Sequence, residues 1–499
     1  MAVVIDKDLL DDVNEPNIEA INYAIRELQN RKKRLDKLSD YYNGKQEIEK
    51  HEFDNATVEA ANVMVNHAKY ITDMNVGFMT GNPVKYVAEK GKNIDDILEV
   101  FNQIDIHKHD IELEKDLSVF GYGYELLYLK KTDPISVRDE LGNEKLTPNT
   151  ELKIEVIDPR ATVVVCDDTV EHDPLFAVFT QEKKDLEGNT NGYSITVYMP
   201  QRIVEYRTKT TMEVSANDPI VYDGENLFGA VPIIEFRNNE ERQGDFEQLI
   251  SLIDAYNLLQ TDRISDKEAF VDALLVTFGF GLGDDKDDIQ RLKRGAIEAP
   301  PREEGADIEW LTKSFDETQV NLLSQSIEND IHKISYVPNM NDEKFMGNVS
   351  GEAMKFKLFG LENLLSIKQR YFFDGLRRRL KLIQTIVNIK GANDDASGCK
   401  ISLVANIPSN LSDVVNNVKN ADGIIPRKYT YSWLPDVDNP QDVIDEMNQQ
   451  DAETIKKNQE ALRGQDPDRL ELEDKQDDSS ENDKEAGSNH NQSHRTRAV

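Results

Sequence analysis

The chain is 499 residues long, 38% hydrophobic and 31% charged, with 94 acidic against 59 basic side chains and a formal net charge of −35. That length accommodates roughly two to four compact units; two cysteines are too few for a disulfide framework or a Cys-rich zinc site, and no apolar run reaches the ~18 residues of a bilayer-spanning helix. So acidic a balance argues against a mainly electrostatic nucleic-acid binder, because such affinity comes from Lys and Arg displacing condensed counterions.

The N-terminus, MAVVIDKDLLDDVNEP, is acidic where a secretory signal is basic and then apolar, so a soluble protein made in a reducing, intracellular compartment is expected. The first 120 or so residues read as mostly helical. Ile18, Ile21, Ile25, Leu28, Leu35 and Leu38 keep helical spacing, and a second helix is predicted from about Val58 to Met79, stopped by Gly81-Asn82-Pro83. A short strand, VKYV, and a helix from Ile94 to about Ser118 follow. From Gly121 to Phe236 the pattern turns to period two: YELLYLKK, LKIEVI, TVVVC, FAVFTQEK, YSITVYM, IVEYRTK, PIVY and VPIIEF, separated by turn signals. This predicts an antiparallel sheet region attached to the helices.

Asp245 with Gln248 resembles a capping box opening a helix whose face runs from Phe246 through Ile253 and Ile264 to Leu275. A glycine-punctuated excursion, LLVTFGFGLGDD, a basic segment, IQRLKRG, and a strand pair around AIEAPP and DIEWLT come next, before a helix from about Phe315 to Tyr336. Two helices enclosing a small α/β excursion suggest a stalk with a knob at its tip. Val337-Pro338 ends the second helix, and Ser350 can cap a third that keeps its apolar spacing from Met354 to Val387, with Gly360 and Gly375 marking close packing or a bend. A strand, CKISLVANI, and helices around Leu411 to Ala421 and Pro440 to Leu462 precede a tail, after about Gly464, that reads as disordered.

Catalytic constellations are nearly absent. No GxxxxGK[ST] loop is present, GFGLG lacks the last glycine of GxGxxG, and SVFGYG is not a nucleophile elbow. His107, His109 and Asp110 could be metal ligands, but a solvated helix face is the plainer reading. Within Arg377-Arg378-Arg379, three consecutive positions fan around a helix axis and cannot make one flat patch; interhelical or intersubunit pairing with carboxylates outweighs phosphate contact. Lys286, Arg291, Lys293 and Arg294 in the knob are a second cluster, either a solvated face or a dock for an acidic partner.

Several blocks then carry a resemblance. VPIIEFRNNEE, FEQLISLIDAYNLLQTDRISD and ISYVPNMNDEKFMGNVSGEAMKFKLFGLENLLSIKQRYFFDGLRRRLKLI, with YYNG at Tyr41 to Gly44, NVGFMTGNPVKY at Asn75 to Tyr86 and DPRATVVVCDD at Asp158 to Asp168, together resemble the portal proteins of long-tailed, siphovirus-type bacteriophages of Gram-positive hosts. The resemblance implies an α+β portal fold assembled as a homo-dodecameric ring, not an enzyme and with no cofactor. It places an N-terminal wing at 1–237, a first stem helix at 238–275, a clip at 276–314, a second stem helix at 315–337 and a tunnel loop at 338–349. A long wing helix at 350–391, the remainder of wing and crown at 392–464 and an acidic tail at 465–499 complete it. Implied partners are double-stranded DNA in the channel, a terminase motor, a head-completion or adaptor protein, and the major capsid and scaffolding proteins, with no membrane; the implied location is the capsid vertex of the virion after assembly in the host cytoplasm. Lys286, Arg291, Lys293 and Arg294 would be the clip's docking residues. Asn339, Met340, Asn341, Lys344, Met346 and Asn348 would meet DNA from the tunnel loop.

The residues suit that role in two respects. A strongly acidic channel repels DNA, so DNA would slide rather than stick. In the loop, Lys344 is balanced by Asp342 and Glu343 and cannot grip phosphate strongly, while the methionines offer flexible apolar bulk. A surface turn that merely joins two helices is the plainer alternative. Two other classes compete for the whole chain: a helical scaffolding or adaptor protein without a DNA channel, and a hydrolase built from dispersed carboxylates.

Overall fold

The computed structural model describes residues 3–51, 62–138, 144–271, 274–278, 307–311, 317–340, 351–407, 411–434, 437 and 440–463. The chain divides into two units, Met1–Pro408 and Ser409–Val499.

Strand β1 (Val3–Ile5) leads into helix α1 (Ile18–Tyr42), where Asn17 caps by accepting the Ala20 N–H. Its apolar stripe serves two cores: Ile21, Ala24, Ile25 and Leu28 join one, and Leu35, Leu38 and Tyr41 the other. Helix α2 (His67–Thr80) starts later than the predicted Val58. Asn66 caps it, accepting from Lys69 N–H, and the chain before it is extended because Val63 and Val65 donate to the Thr261 hydroxyl and the Asn257 side-chain carbonyl, at 3.0 and 2.9 Å. Residues 52–61, where the predicted start falls, lie outside the described residues.

After β2 (Lys85–Val87), the helix predicted from Ile94 to Ser118 is two helices, α3 (Asp95–Ile104) and α4 (Ile106–Phe120). Asp105 between them takes a left-handed φ of 52°, which aspartate tolerates better than most residues. The eight predicted strands follow: β3 (Tyr122–Arg138), β4 (Glu144–Ile157), β5 (Thr162–Asp167), β6 (Pro174–Lys184), β7 (Thr190–Tyr198), β8 (Arg202–Thr208), β9 (Ile220–Glu225) and β10 (Ile233–Arg237). They form two sheets, ordered β1-β5-β6-β7-β8-β9 and β10-β3-β4. All their pairings are antiparallel except β1 on β5, which is parallel.

Helix α5 (Ile250–Val271) ends short of the predicted Leu275, which instead lies in strand β11 (Leu274–Phe278). That strand pairs antiparallel with β12 (Asp307–Leu311); of the predicted strand pair, DIEWLT forms β12, and AIEAPP lies outside the described residues. Helices α6 (Glu317–Ser335) and α7 (Gly351–Ile389) come next. β13 (Lys400–Ser402) pairs with β2. Along α7, Phe372, Leu376, Leu380 and Ile383 are almost wholly buried in the larger core. Each contributes about 1.5–3 kcal/mol of burial.

The second unit holds α8 (Leu411–Ala421), α9 (Arg427–Tyr431) and α10 (Pro440–Arg463). Thr430 is the one buried side chain among its described residues. No helix among the described residues of the chain is long and apolar enough to cross a membrane.

Candidate functional site

Two charged side chains interrupt the apolar stripe of α7. Leu361, Leu365, Phe372, Leu376 and Leu380 are buried at helical spacing, and Lys368 and Arg379 lie buried among them. Neither is left without a counter-ion.

Arg379 is fully enclosed. Its Nε lies 3.0–3.1 Å and its Nη2 2.6 Å from the Glu125 carboxylate on β3, and its Nη1 lies 2.8 Å from Asp110 on α4, out of line for a hydrogen bond and so an ion pair. His109 Nε2 meets the same Glu125 at 3.0 Å, and the guanidinium sits 5.4 Å from the centre of the Phe236 ring. Burial pushes the Glu125 carboxyl up, but Arg379 and the His109 hydrogen bond outweigh it and hold Glu125 below the usual carboxylate range. For Asp110 burial wins, and its pKa is raised despite Arg379.

Lys368 makes the second cluster. Its Nζ reaches Asp245 at 2.9 Å and Glu114 on α4 at 2.5 Å. Asp245 also accepts from the Ser118 hydroxyl and the Asn238 amide. Burial pushes the Glu114 carboxyl up to about 7, against the pull of Lys368. The capping role predicted for Asp245 is therefore corrected: its carboxylate faces Lys368, and Glu247 instead accepts the Gly244 N–H at 3.1 Å.

These clusters overturn one further expectation and agree with another. His109 and Asp110 are not a solvated face, since both are buried, against Glu125 and Arg379; among the described residues no group of three or more His, Cys, Asp or Glu is arranged to hold a metal. The arginine run does fan around the axis: Arg377 and Arg378 are exposed while Arg379 pairs inside its own chain. Sequence reasoning missed Glu114, Glu125, Asp245 and Lys368. The available signal was a charge inside an apolar stripe, which in a soluble helix demands a buried partner.

The loop predicted from Pro338 departs from a fixed footing. Tyr336 takes a left-handed φ of 60° and Val337 is buried, its carbonyl accepting from His332 Nδ1 at 2.9 Å. The Tyr70 hydroxyl donates to the Pro338 carbonyl at 2.9 Å and accepts from Met340 N–H at 3.4 Å. Asn339 donates to Glu328 at 2.9 Å. His332 packs edge-on against Tyr70 and His67, and burial lowers the pKa of His67 to about 4. Of the predicted loop contacts, Asn339 is held at this footing and Met340 is exposed just beyond it. Asn341, Lys344, Met346 and Asn348 lie outside the described residues, as do Lys286, Arg291, Lys293 and Arg294.

A family profile described as "Phage portal protein, SPP1 Gp6-like" matches residues 21–457. The portal protein of Clostridium phage phiCD119 is 25% identical over 223 residues, 43% of this chain and 48% of the relative. The chain thus spans about half the length of that curated relative. A chain in the solved "Neck of native GTA particle computed with C12 symmetry" is 13% identical with a TM-score of 0.37, covering 74% of this chain and 88% of that one.

Proposed function

Because the chain belongs to the SPP1 Gp6-like family of phage portal proteins, we propose that it forms a twelve-membered ring at one capsid vertex, through which double-stranded DNA is packaged and later leaves. In this reading the ring is also the platform for a terminase motor, for a head-completion or adaptor protein, and for the major capsid and scaffolding proteins. The observation that carries it is family membership over nearly the whole folded chain. The physical chemistry agrees, since a ring multiplies a formal −35 per copy into a wall that repels phosphate and lets DNA slide. The chain carries no phosphate-cradling loop, so the energy for translocation comes from the partner motor.

Within that ring, residues 1–237 and 350–391 form the wing, 238–275 and 315–337 the stem, 276–314 the clip and 392–464 the rest of the wing and the crown. Lys286, Arg291, Lys293 and Arg294 dock partners at the clip, and reversing their charge weakens those contacts while the ring survives. The loop 338–349 reaches the axis, with Asn339, Met340, Asn341, Lys344, Met346 and Asn348 meeting DNA in passing. What supports this is the footing on Tyr70, Val337 and Glu328, which fixes the direction in which the chain leaves α6.

Electron images or native mass of the purified chain are expected to give closed rings with an axial opening; only monomers or dimers in every assembly condition would count against the proposal. Shortening the loop, or Lys344→Glu, is expected to leave rings intact and to impair packaging or retention of DNA. Wild-type packaging by a loop-deleted ring would refute the loop assignment.

A further inference from the structure

Helix α7 leaves one side uncovered. Phe356, Phe359, Ile367, Arg370, Arg377 and Lys381 follow one another along it at spacings of three, eight, three, seven and four residues, which is one face of a helix. Phe356 is 80% exposed, Phe359 59% and Ile367 52%. Arg370, Arg377 and Lys381 are exposed too, with Arg378 beside them. Asp374 is the single exposed acid among these bases and pairs with Arg377 at 3.1 Å, both groups being open to water, where such a pair is weak. Among the described residues no ion pair engages Arg370, Arg378 or Lys381. The stripe is thus apolar in its first half and basic in its second, on a chain whose balance is strongly acidic.

That combination selects its partner. A DNA backbone would satisfy the bases but offers nothing to two exposed phenylalanines. A surface both apolar and acidic satisfies both halves, and this chain displays one. On α6, Leu323, Asp330 and Ile334 lie on one line at spacings of seven and four residues, all exposed, with Leu322 and Lys333 exposed beside them, and further acid comes from a chain of 94 acidic against 59 basic side chains. Stripe against stripe in parallel would oppose four bases to four, and an antiparallel two-fold pair would set the bases over the phenylalanines with no acid beyond Asp374 to meet them.

We infer that the exposed face of α7 docks a second copy of this chain, on an apolar and acidic surface to which α6 contributes the apolar part. Such a contact joins two different surfaces, so it repeats from copy to copy instead of stopping at a pair, and closes into a ring where the rotation allows. The inference rests on the ring proposed above and adds where copies meet and by what chemistry. Its basic half weakens as salt screens it and its apolar half does not.

The test uses the full chain. Phe359 is replaced by photo-reactive p-benzoylphenylalanine, with the same probe at the fully exposed Leu186 as control. Irradiated rings are expected to yield covalent multiples of the chain from position 359 and none from position 186. Arg377→Glu with Arg378→Glu is expected to lower the ring fraction at least about threefold at moderate ionic strength, with lysine replacements retaining it; Phe359→Ser lowers it at every salt concentration. Unchanged thermal midpoints of the monomers separate these effects from misfolding. Rings that give no cross-linked multiples from position 359, or that form normally after charge reversal, overturn this interface and leave the ring proposal standing. Reversal that spares rings but loses DNA makes the stripe a nucleic-acid contact and overturns it as well. A native chain that never forms rings overturns both.

Discussion

Glu114 illustrates how narrowly the buried charges of α7 are balanced. It shares Lys368 with Asp245, so two carboxylates compete for one ammonium in a buried site. Burial raises its pKa to about 7, above its ordinary value, so the folded state holds this proton more tightly than the unfolded one. The corresponding stability is present below the ordinary carboxylate range and is lost as pH rises through about 7. Glu114→Gln cannot ionise. Its thermal midpoint is therefore expected to exceed that of the native chain by about 2–4 °C near pH 9 and to match it near pH 5; equal midpoints across that range would show that Glu114 is ionised throughout. The sequence signalled a buried charge at Lys368 but not which carboxylates would meet it. In a chain with 94 acids a carboxylate marks nothing by itself, and the partner of Glu125 lies 254 residues away.

Two glycines of α7 separate packing from bending. A Cβ on Gly375 would come within 2.3 Å of the Phe236 ring on β10, a ring that is itself fully buried, whereas one on Gly360 would stand 3.1 Å from the exposed Tyr336. Gly375→Ala is expected to cost about 1–3 kcal/mol in denaturant unfolding. Gly360→Ala should be neutral or should gain up to about 1 kcal/mol of helix propensity. Equal effects would mean that α7 and β10 are not in such close contact. Close packing at Gly375 was half-legible, because glycine within an apolar helical stripe signals either contact or a kink. The existence of strands β3 to β10 was legible, since alternation between turns is a local property, although β3 runs past the predicted YELLYLKK to Arg138 and β4 starts before LKIEVI, at Glu144. The three residues of β1 were not, because they become a strand only beside Thr162–Asp167. Boundaries failed where distant or unusual backbone governs them: at the segment before α2, held by Asn257 and Thr261, and at the left-handed Asp105. Of the predicted loop and clip contacts, only Asn339 and Met340 fall where the structure describes them.

At the scale of the molecule, stability is distributed unevenly between the two units. Every residue of the two apolar cores precedes Pro408, and the three described helices beyond it enclose little more than Thr430. A chain ending at Pro408 is therefore expected to unfold as cooperatively as the full chain and at the same denaturant midpoint, while a fragment from Ser409 onward shows no cooperative transition. A lowered midpoint for the truncated chain would show that the second unit stabilises the first.

The Arg379 cluster also has a history in time. A ribosome adding about 5–20 residues per second delivers Arg379 roughly 10–50 s after Glu125, given the 254 residues between them. Throughout that interval Asp110 and Glu125 lack the Arg379 guanidinium and have only His109 beside Glu125, and enclosing the two carboxylates so costs more than the surrounding apolar contacts return. The nascent N-terminal segment must stay open until translation has passed the middle of α7. A polypeptide released before that point lacks the guanidinium that neutralises this core, and is expected to be cleaved by a protease far faster than the full chain.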